Sequence, residues 1–182
     1  MKLNWPVIHT EQFFELKLLH FKGLKNNIDD LKIVKANDDS ILELLKIWPV
    51  NIAKMQERLD SGNSECFISY LKEEPVAYHW IQFSGIHKIR PIGKSINVPL
   101  NAFIFYHTRV SKNHQGKGIN KIAMSEIISY QKKNEFQMSL IYTSKKNKAQ
   151  FHSLKSLGFE KVKSITSLKL GSNYYSLSKI WD

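Results

Sequence analysis

The sequence predicts a mixed α+β fold in a single domain. Residues Asn101 to Val110 form a strand whose centre, Ala102-Phe103-Ile104-Phe105-Tyr106, is nearly all apolar, as in a strand covered on both faces. A Gly-rich turn follows, then an amphipathic helix in which Ile119, Ile122, Ala123, Ile127 and Tyr130 recur at helical spacing. Cys66 to Leu71 and Val76 to Phe83 flank Lys72-Glu73-Glu74-Pro75, the pattern of an antiparallel hairpin. A length of 182 residues, 42% of them hydrophobic and 24% charged, suits one hydrophobic core.

The first thirty residues are hard to read. Phe13-Phe14-Glu15-Leu16-Lys17-Leu18-Leu19 fits a strand somewhat better than a helix, but the run is too short for periodicity to decide. Leu31 to Ala36 alternates as a strand does. Ser40, with Glu43 three residues later, offers a capping box for a helix reaching Trp48, where Pro49 ends it. A second helix is expected from Asn51 to Leu59, stopped by Ser61-Gly62-Asn63. Ser84 to Leu100, with Gly85, Pro91, Gly93 and Pro99, reads as a long irregular excursion. Beyond the amphipathic helix come a strand from Met138 to Thr143, a helix from Lys148 to Leu157 capped by Gly158, and strands from Glu160 to Leu170 and Tyr174 to Ile180.

Composition excludes several classes. A single cysteine, Cys66, permits no intrachain disulfide and no thiolate-rich zinc site. The seven histidines show no metal-binding spacing, so no metal is expected. No apolar run approaches membrane-spanning length, and Met1 to Pro6 holds no continuous signal-type apolar core. The expectation is a reduced, cytoplasmic domain with no membrane partner. The formal charge is +11, and Lys112 to Lys163 holds eleven lysines against three acids. That excess suits a phosphate-bearing ligand, nucleic acid, or a solvated lysine-rich surface.

The chemistry-bearing segment is Val110-Ser111-Lys112-Asn113-His114-Gln115-Gly116-Lys117-Gly118-Ile119-Asn120. Between a strand and a helix, its glycines let backbone N–H groups turn toward an anion, and the helix N-terminus adds unsatisfied donors. Walker and dinucleotide spacings are both absent. The segment resembles motif A of the Gcn5-related N-acetyltransferase (GNAT) family, Q/R-x-x-G-x-G/A, with Gln115 and Gly118 at their places and Val110 five residues before Gln115. Asn147 begins what resembles the family's N-x-x-A/S segment, and Leu157-Gly158-Phe159 its x-G-F ending, Gly158 standing eleven positions after Asn147. The likeness is strongest from Ala102 to Val162, the cofactor-binding core, extends back to Leu31, and leaves residues 1–30 as an extra N-terminal segment.

This resemblance implies a central, mostly antiparallel sheet of about six or seven strands, splayed at the cofactor site and flanked by about four helices. It implies acetyl-CoA as acyl donor. The diphosphate would lie on the amides of Gln115, Gly116, Lys117, Gly118, Ile119 and Asn120, and the pantetheine arm along Thr108, Arg109 and Val110, with Asn147 bonded to that arm. Two positions depart from the pattern: Asn120 stands where the family has Gly or Ala, and Leu154 where many members carry a Tyr acid.

An alkylammonium must lose a proton before it attacks a thioester. Tyr106, His107 and His79 are the candidates near the central strand, with Glu57 and Glu65 as weaker alternatives. If alternation holds, Tyr106 shares a face with Thr108 and His107 points the other way; a bulge would break that rule. The implied function is acetyl transfer to a primary amine of a small molecule, with an anionic amino sugar or amino acid favoured by the net charge. Acetylation of aminoacyl-tRNA or protein, and a non-catalytic acyl-CoA-binding module, are the alternatives. The chain is expected to be a monomer or homodimer.

Overall fold

The computed structural model describes residues 7–177. Met1 to Pro6 and the end of the strand expected to reach Ile180 lie outside the described residues. The elements run β1 Val7–Lys17, β2 Leu31–Lys35, α1 Leu44–Ile47, α2 Ile52–Asp60, β3 Ser64–Leu71, β4 Glu74–Ile89, β5 Lys94–Val110, α3 Ile119–Lys133, β6 Met138–Ser144, α4 Lys148–Ser156, β7 Glu160–Leu170 and β8 Asn173–Ser176. They build one eight-stranded sheet in the order β2-β3-β4-β5-β6-β1-β7-β8. Every pairing is antiparallel except β5 with β6. Among the described residues, no helix is long and apolar enough to cross a membrane.

The N-terminal segment is no appendage. Strand β1 lies inside the sheet, with Glu11 opposite Ser144 of β6 on one side and Ile165 of β7 on the other. Its adjacent Phe13 and Phe14 are both buried because the strand is covered on both faces. Phe14 packs with Phe103, Phe105, Ile127 and Leu154 beneath α3 and α4, while Phe13 packs with Ile89 and Ile92 on the opposite face. On that opposite face α1 and α2 cover Cys66, Ile68, Tyr78 and Trp80.

Two expectations are corrected. Ser84 to Leu100 is a strand pair, not an irregular excursion. Strand β4 continues to Ile89 and β5 begins at Lys94, in register from Gly85–Val98 to Ile89–Lys94. Gly85, at φ 78°, bends this pair at a register shift, and Pro91 with Gly93 closes its turn. The glycines and prolines that suggested a loop therefore serve a bent arm. The arm crosses the sheet: the Ser167 hydroxyl of β7 donates to the Ile92 carbonyl at 3.0 Å, and a Cβ on Gly93 would fall 2.5 Å from the Tyr174 ring of β8.

The second correction concerns the first helix. Ser40 makes no cap bond into it. The reciprocal pair starts three residues earlier: the Asn37 amide donates to Ser40 Oγ and the Ser40 amide to Asn37 Oδ1, both at 2.9 Å. Asn51 does cap α2, accepting from the Lys54 amide at 3.0 Å. Gly158, at φ 86°, ends α4 in a Schellman turn, with Phe159 N–H donating to the Leu154 carbonyl at 3.0 Å.

Candidate functional site

The parallel pairing of β5 with β6 stops at Phe105–Ile141. Beyond it the strands part, and β6 is held instead by β1 as far as Ser144. The wedge between them leads into a cleft of about 710 Å³ under the N-termini of α3 and α4. Thr108, Arg109, Val110, Gln115, Gly116, Gly118, Ile119, Asn120 and Asn147 all line it; of the residues assigned to the cofactor by resemblance, Lys117 alone does not.

The turn from β5 to α3 is fixed locally. Gln115 Nε2 donates to the Val110 carbonyl at 3.2 Å, and the Ser111 hydroxyl meets His114 Nδ1 at 2.8 Å. Gly116 and Gly118 stand at φ 77° and 82°, where other L-residues are strained. A Cβ on either would meet nothing within 4 Å, so open space lies over both. No side chain caps α3, and among the described residues nothing accepts from the amides of Gly116 to Lys121. These free donors at the positive end of a helix dipole suit a diphosphate. The Ser111 amide donates to Val76 of β4 at 2.8 Å, so alternation turns the Val110 amide away from β4 toward the wedge. Asn147 caps α4 through Oδ1, which accepts from the Gln150 amide at 3.1 Å. That leaves its Nδ2 as a donor at the cleft.

Asn120 projects inward. Its Oδ1 lies 3.0 Å from His79 Nε2, and its Nδ2 donates to Gln150 Oε1 at 3.0 Å. Among the described residues, Asn120 is the only group that hydrogen-bonds the buried His79 Nε2, and it ties β4, α3 and α4 together. The larger residue at a Gly or Ala position is explained by this contact, and it leaves the phosphate side clear. Leu154 is fully buried among Phe14, Phe105 and Leu157, while His152 and Ser153 beside it line the cleft.

The three catalytic candidates separate. His79 is fully buried on the α3 side, and burial pushes its imidazole down to about 4. Tyr106 and His107 lie together on the opposite side. Alternation fails here: His107 has φ 47°, and the register slips between Tyr78–Arg109 and Trp80–Tyr106. The bulge brings both side chains to Arg58 of α2, whose guanidinium lies 5.4 Å from the Tyr106 ring, 5.5 Å from the Trp80 ring and 3.0 Å from His107 Nδ1.

Arginine only donates, so Nδ1 of His107 is the lone-pair nitrogen and Nε2 carries the proton. Burial, then Arg58, Arg109 and Arg90, holds this imidazole down to about 4. Near neutral pH it is an uncharged donor. The Tyr106 hydroxyl donates to Ser64 Oγ at 3.2 Å, and burial raises its pKa. Nearby Tyr78 Oη, Trp80 Nε1 and Thr108 Oγ1 are buried without a partner among the described residues. Glu65 is engaged by Lys35 and by Gln131 Nε2, and Glu57 is exposed.

The sequence reasoning missed Glu11. It is 5% exposed, on the same face of the sheet as Phe13 and Tyr142, and its carboxylate has no hydrogen-bond or ion-pair partner among the described residues. Burial pushes its carboxyl up to about 7. Among the described residues no cluster of three or more His, Cys, Asp or Glu could hold a metal.

No protein-family model matches the chain. No curated protein matches it either. Solved structures do. A functionally unknown conserved protein from Staphylococcus epidermidis superposes with a TM-score of 0.62 at 16% identity, over 91% of this chain and 63% of its own. A protein assigned to the GNAT acetyltransferases from Novosphingobium aromaticivorans gives 0.61 at 11% identity, over 88% and 63%. An aminoglycoside acetyltransferase from an uncultured soil metagenomic sample, solved with sisomicin, gives 0.57 at 15% identity, over 82% and 98%. The chain thus spans less than two thirds of the first two structures. With these neighbours and the splayed sheet, the chain has the GNAT fold.

Proposed function

We propose that the protein transfers an acetyl group from acetyl-CoA to a primary amine of a small molecule in one ternary complex. One juxtaposition supports this reading above the rest: free amides on an open glycine turn stand beside a wedge where β5 and β6 part. Acetyl-CoA supplies an activated acyl group when bound. The amides of Gly116 to Lys121 hold its diphosphate, the edge of Thr108 to Val110 pairs with the pantetheine, and Asn147 Nδ2 donates to that arm. The Val110 amide, turned toward the wedge, donates to the thioester oxygen as negative charge develops on it.

The acceptor comes from the other face, where Tyr106, His107 and Arg58 surround the bulge. Holding amine and thioester together supplies much of the rate. His107 Nε2–H is a donor that orients the acceptor. His79, on the far side of the sheet, is a structural partner of Asn120 in this scheme. The arginines favour an anionic amine such as an amino acid or an acidic amino sugar, and the reaction belongs in the cytoplasm.

The test is calorimetric titration with acetyl-CoA and CoA, followed by a thiol-release screen over amines. Micromolar acetyl-CoA binding with amine-dependent CoA release is expected. Absence of acetyl-CoA binding overturns the reading.

A further inference from the structure

We infer that Asn120 is a positioning residue for the cofactor: through Gln150 it fixes the span between the two helix ends that hold the diphosphate and the pantetheine arm. This rests on the acetyl-transfer reading and deepens it. It gives a part in cofactor binding to a residue that departs from the resembling motif, where Gly or Ala stands.

The need for such a residue comes from the wedge. Helix α3 follows β5 and α4 follows β6, and the pairing of those two strands stops at Phe105–Ile141. Beyond that point the sheet no longer sets the distance between the two helix N-termini. One ligand must nevertheless reach both, with its diphosphate on the Gly116 to Lys121 amides and its arm at Asn147. Hydrogen bonds tolerate only a few tenths of an ångström, so a span of the wrong length sacrifices one set of contacts.

The bridge is a continuous run of hydrogen bonds. Asn120 Nδ2 of α3 donates to Gln150 Oε1 of α4 at 3.0 Å. The backbone amide of Gln150 donates to Asn147 Oδ1 at 3.1 Å. Gln150 is thus tied to α3 by its side chain, and by its backbone to the residue whose Nδ2 is left for the arm. At the other end, Asn120 Oδ1 lies 3.0 Å from Nε2 of His79, a fully buried residue of β4 opposite Phe67 of β3. The bridge therefore starts from an anchor in the closed part of the sheet. Among the described residues, the hydrogen bonds that join α3 to α4 are those of Gln150 to Asn120 and to Met124.

Met124 also fixes which way the amides face. A thioether accepts and does not donate. Its sulfur lies 3.7 Å from Asn120 Nδ2 and 3.6 Å from Gln150 Nε2, so both amide nitrogens turn toward it. Asn120 then shows its oxygen to His79, whose Nε2 carries the proton and whose Nδ1 is buried without a partner among the described residues. Gly or Ala at position 120 has no group to make these bonds. Asn120, Asn147 and Gln150 line the cleft, so water replaces a lost contact at Gln150, whereas it does not reach buried His79.

The experiment measures two affinities of the full chain: for acetyl-CoA, and for adenosine 3′-phosphate 5′-diphosphate, which carries the diphosphate without the arm. Gln150→Leu cuts the bridge and leaves Asn120 on His79. Acetyl-CoA binding weakens about tenfold, and nucleotide binding changes by less than about twofold, because the amides of the glycine turn keep their place. Asn120→Ala gives the same two affinities with a lower Tm, because it also strands His79. The double variant Gln150→Leu/Asn147→Ala binds acetyl-CoA no more weakly than Asn147→Ala alone, since both changes remove one contact. A purely structural bridge predicts the reverse: affinity falls in step with Tm, and the two losses add. Unchanged acetyl-CoA affinity in Gln150→Leu overturns the inference, as do an equal loss for the nucleotide and additive losses in the double variant. Failure of the wild-type chain to bind acetyl-CoA overturns the acetyl-transfer reading beneath it.

Discussion

The two faces of the sheet are made in different ways. The α3–α4 face carries a site built from one contiguous turn: Gln115 bonds back to Val110 five residues earlier, and two glycines leave a run of amides bare. The arm-covered face gathers Glu11, Arg58, His87, Tyr106 and Tyr142 from five separate elements. The first site uses backbone, so its chemistry depends on φ and on little else. The second uses side chains whose placement depends on the whole sheet closing. A backbone site tolerates change in its side chains, whereas a side-chain site changes specificity with each of them.

The sharpest way to break the contrast is Gly118→Val. A branched residue at φ 82° is strained and displaces the amides that carry the anion site. Loss of hydrogen bonds to a charged group, about 1.5–3 kcal/mol each, predicts roughly 10- to 100-fold weaker acetyl-CoA binding by calorimetry. The arm-covered face is untouched, so the near-ultraviolet circular dichroism of Trp80 and Tyr106 stays the same. If affinity is unchanged, the anion site is not the glycine turn.

Asn120→Ala comes next. It strands His79 Nε2, whose only hydrogen-bond partner among the described residues is Asn120, and frees Gln150. Leaving a buried polar atom unsatisfied costs about 1–3 kcal/mol, read as a lower Tm. Asn120→Gly, the residue type of the resembling motif, restores nothing and falls as far.

The pH dependence of stability sharpens the comparison from the other face. Glu11 has a native pKa raised from 4.5 to about 7, so the folded chain holds a proton that the unfolded chain has released. Its contribution is full below 4.5 and lost as pH rises through about 7. Glu11→Gln therefore raises Tm at pH 8 by an amount equivalent to about 1–3 kcal/mol, and leaves it unchanged at pH 4. The depressed histidines act with the opposite sign. His79 and His107, at about 4 against an ordinary 6.5, contribute above 6.5 and lose that contribution as pH falls toward 4. A wild-type chain more stable at pH 4 than at 6.5 contradicts their burial. The smallest effect belongs to Lys117→Ala, which lies outside the cleft lining and weakens acetyl-CoA binding by no more than a few-fold, since an exposed charge is worth about 0.2–1 kcal/mol.

The same contrast explains what was legible in the sequence. The turn from Val110 to Asn120 and the Asn147–Phe159 segment are local, and local spacing reveals them. The nearly all-apolar Ala102–Tyr106 announced a central strand, and Met138–Thr143 and Glu160–Leu170 were equally plain. The arm was misread because glycine and proline mark a loop and a bent strand pair alike. Alternation failed at His107, where one inserted residue turns the next side chain around. Glu11 was missed because nothing local marks it; its partners lie more than 130 residues away in sequence, at Ser144 and Ile165. Two signals were nevertheless present. Adjacent buried phenylalanines at 13 and 14 imply a strand covered on both sides, and three arginines among 27 basic residues invite the question of where they meet.

The place of β1 also sets the order of assembly. Strand β1 is synthesised before every other described element, yet it sits between β6 and β7, which are synthesised near the end of the described chain. During translation it must wait, with its apolar Phe13, Phe14 and Leu16 uncovered, while β2 to β5 and α3 form around the central strand. Until β1 docks, β6 and β7 each present a bare edge open to pairing with another chain. The nascent protein therefore holds its glycine turn before it buries the Glu11 carboxylate, and a chaperone that shields residues 7–17 would act on the step that completes the arm-covered side.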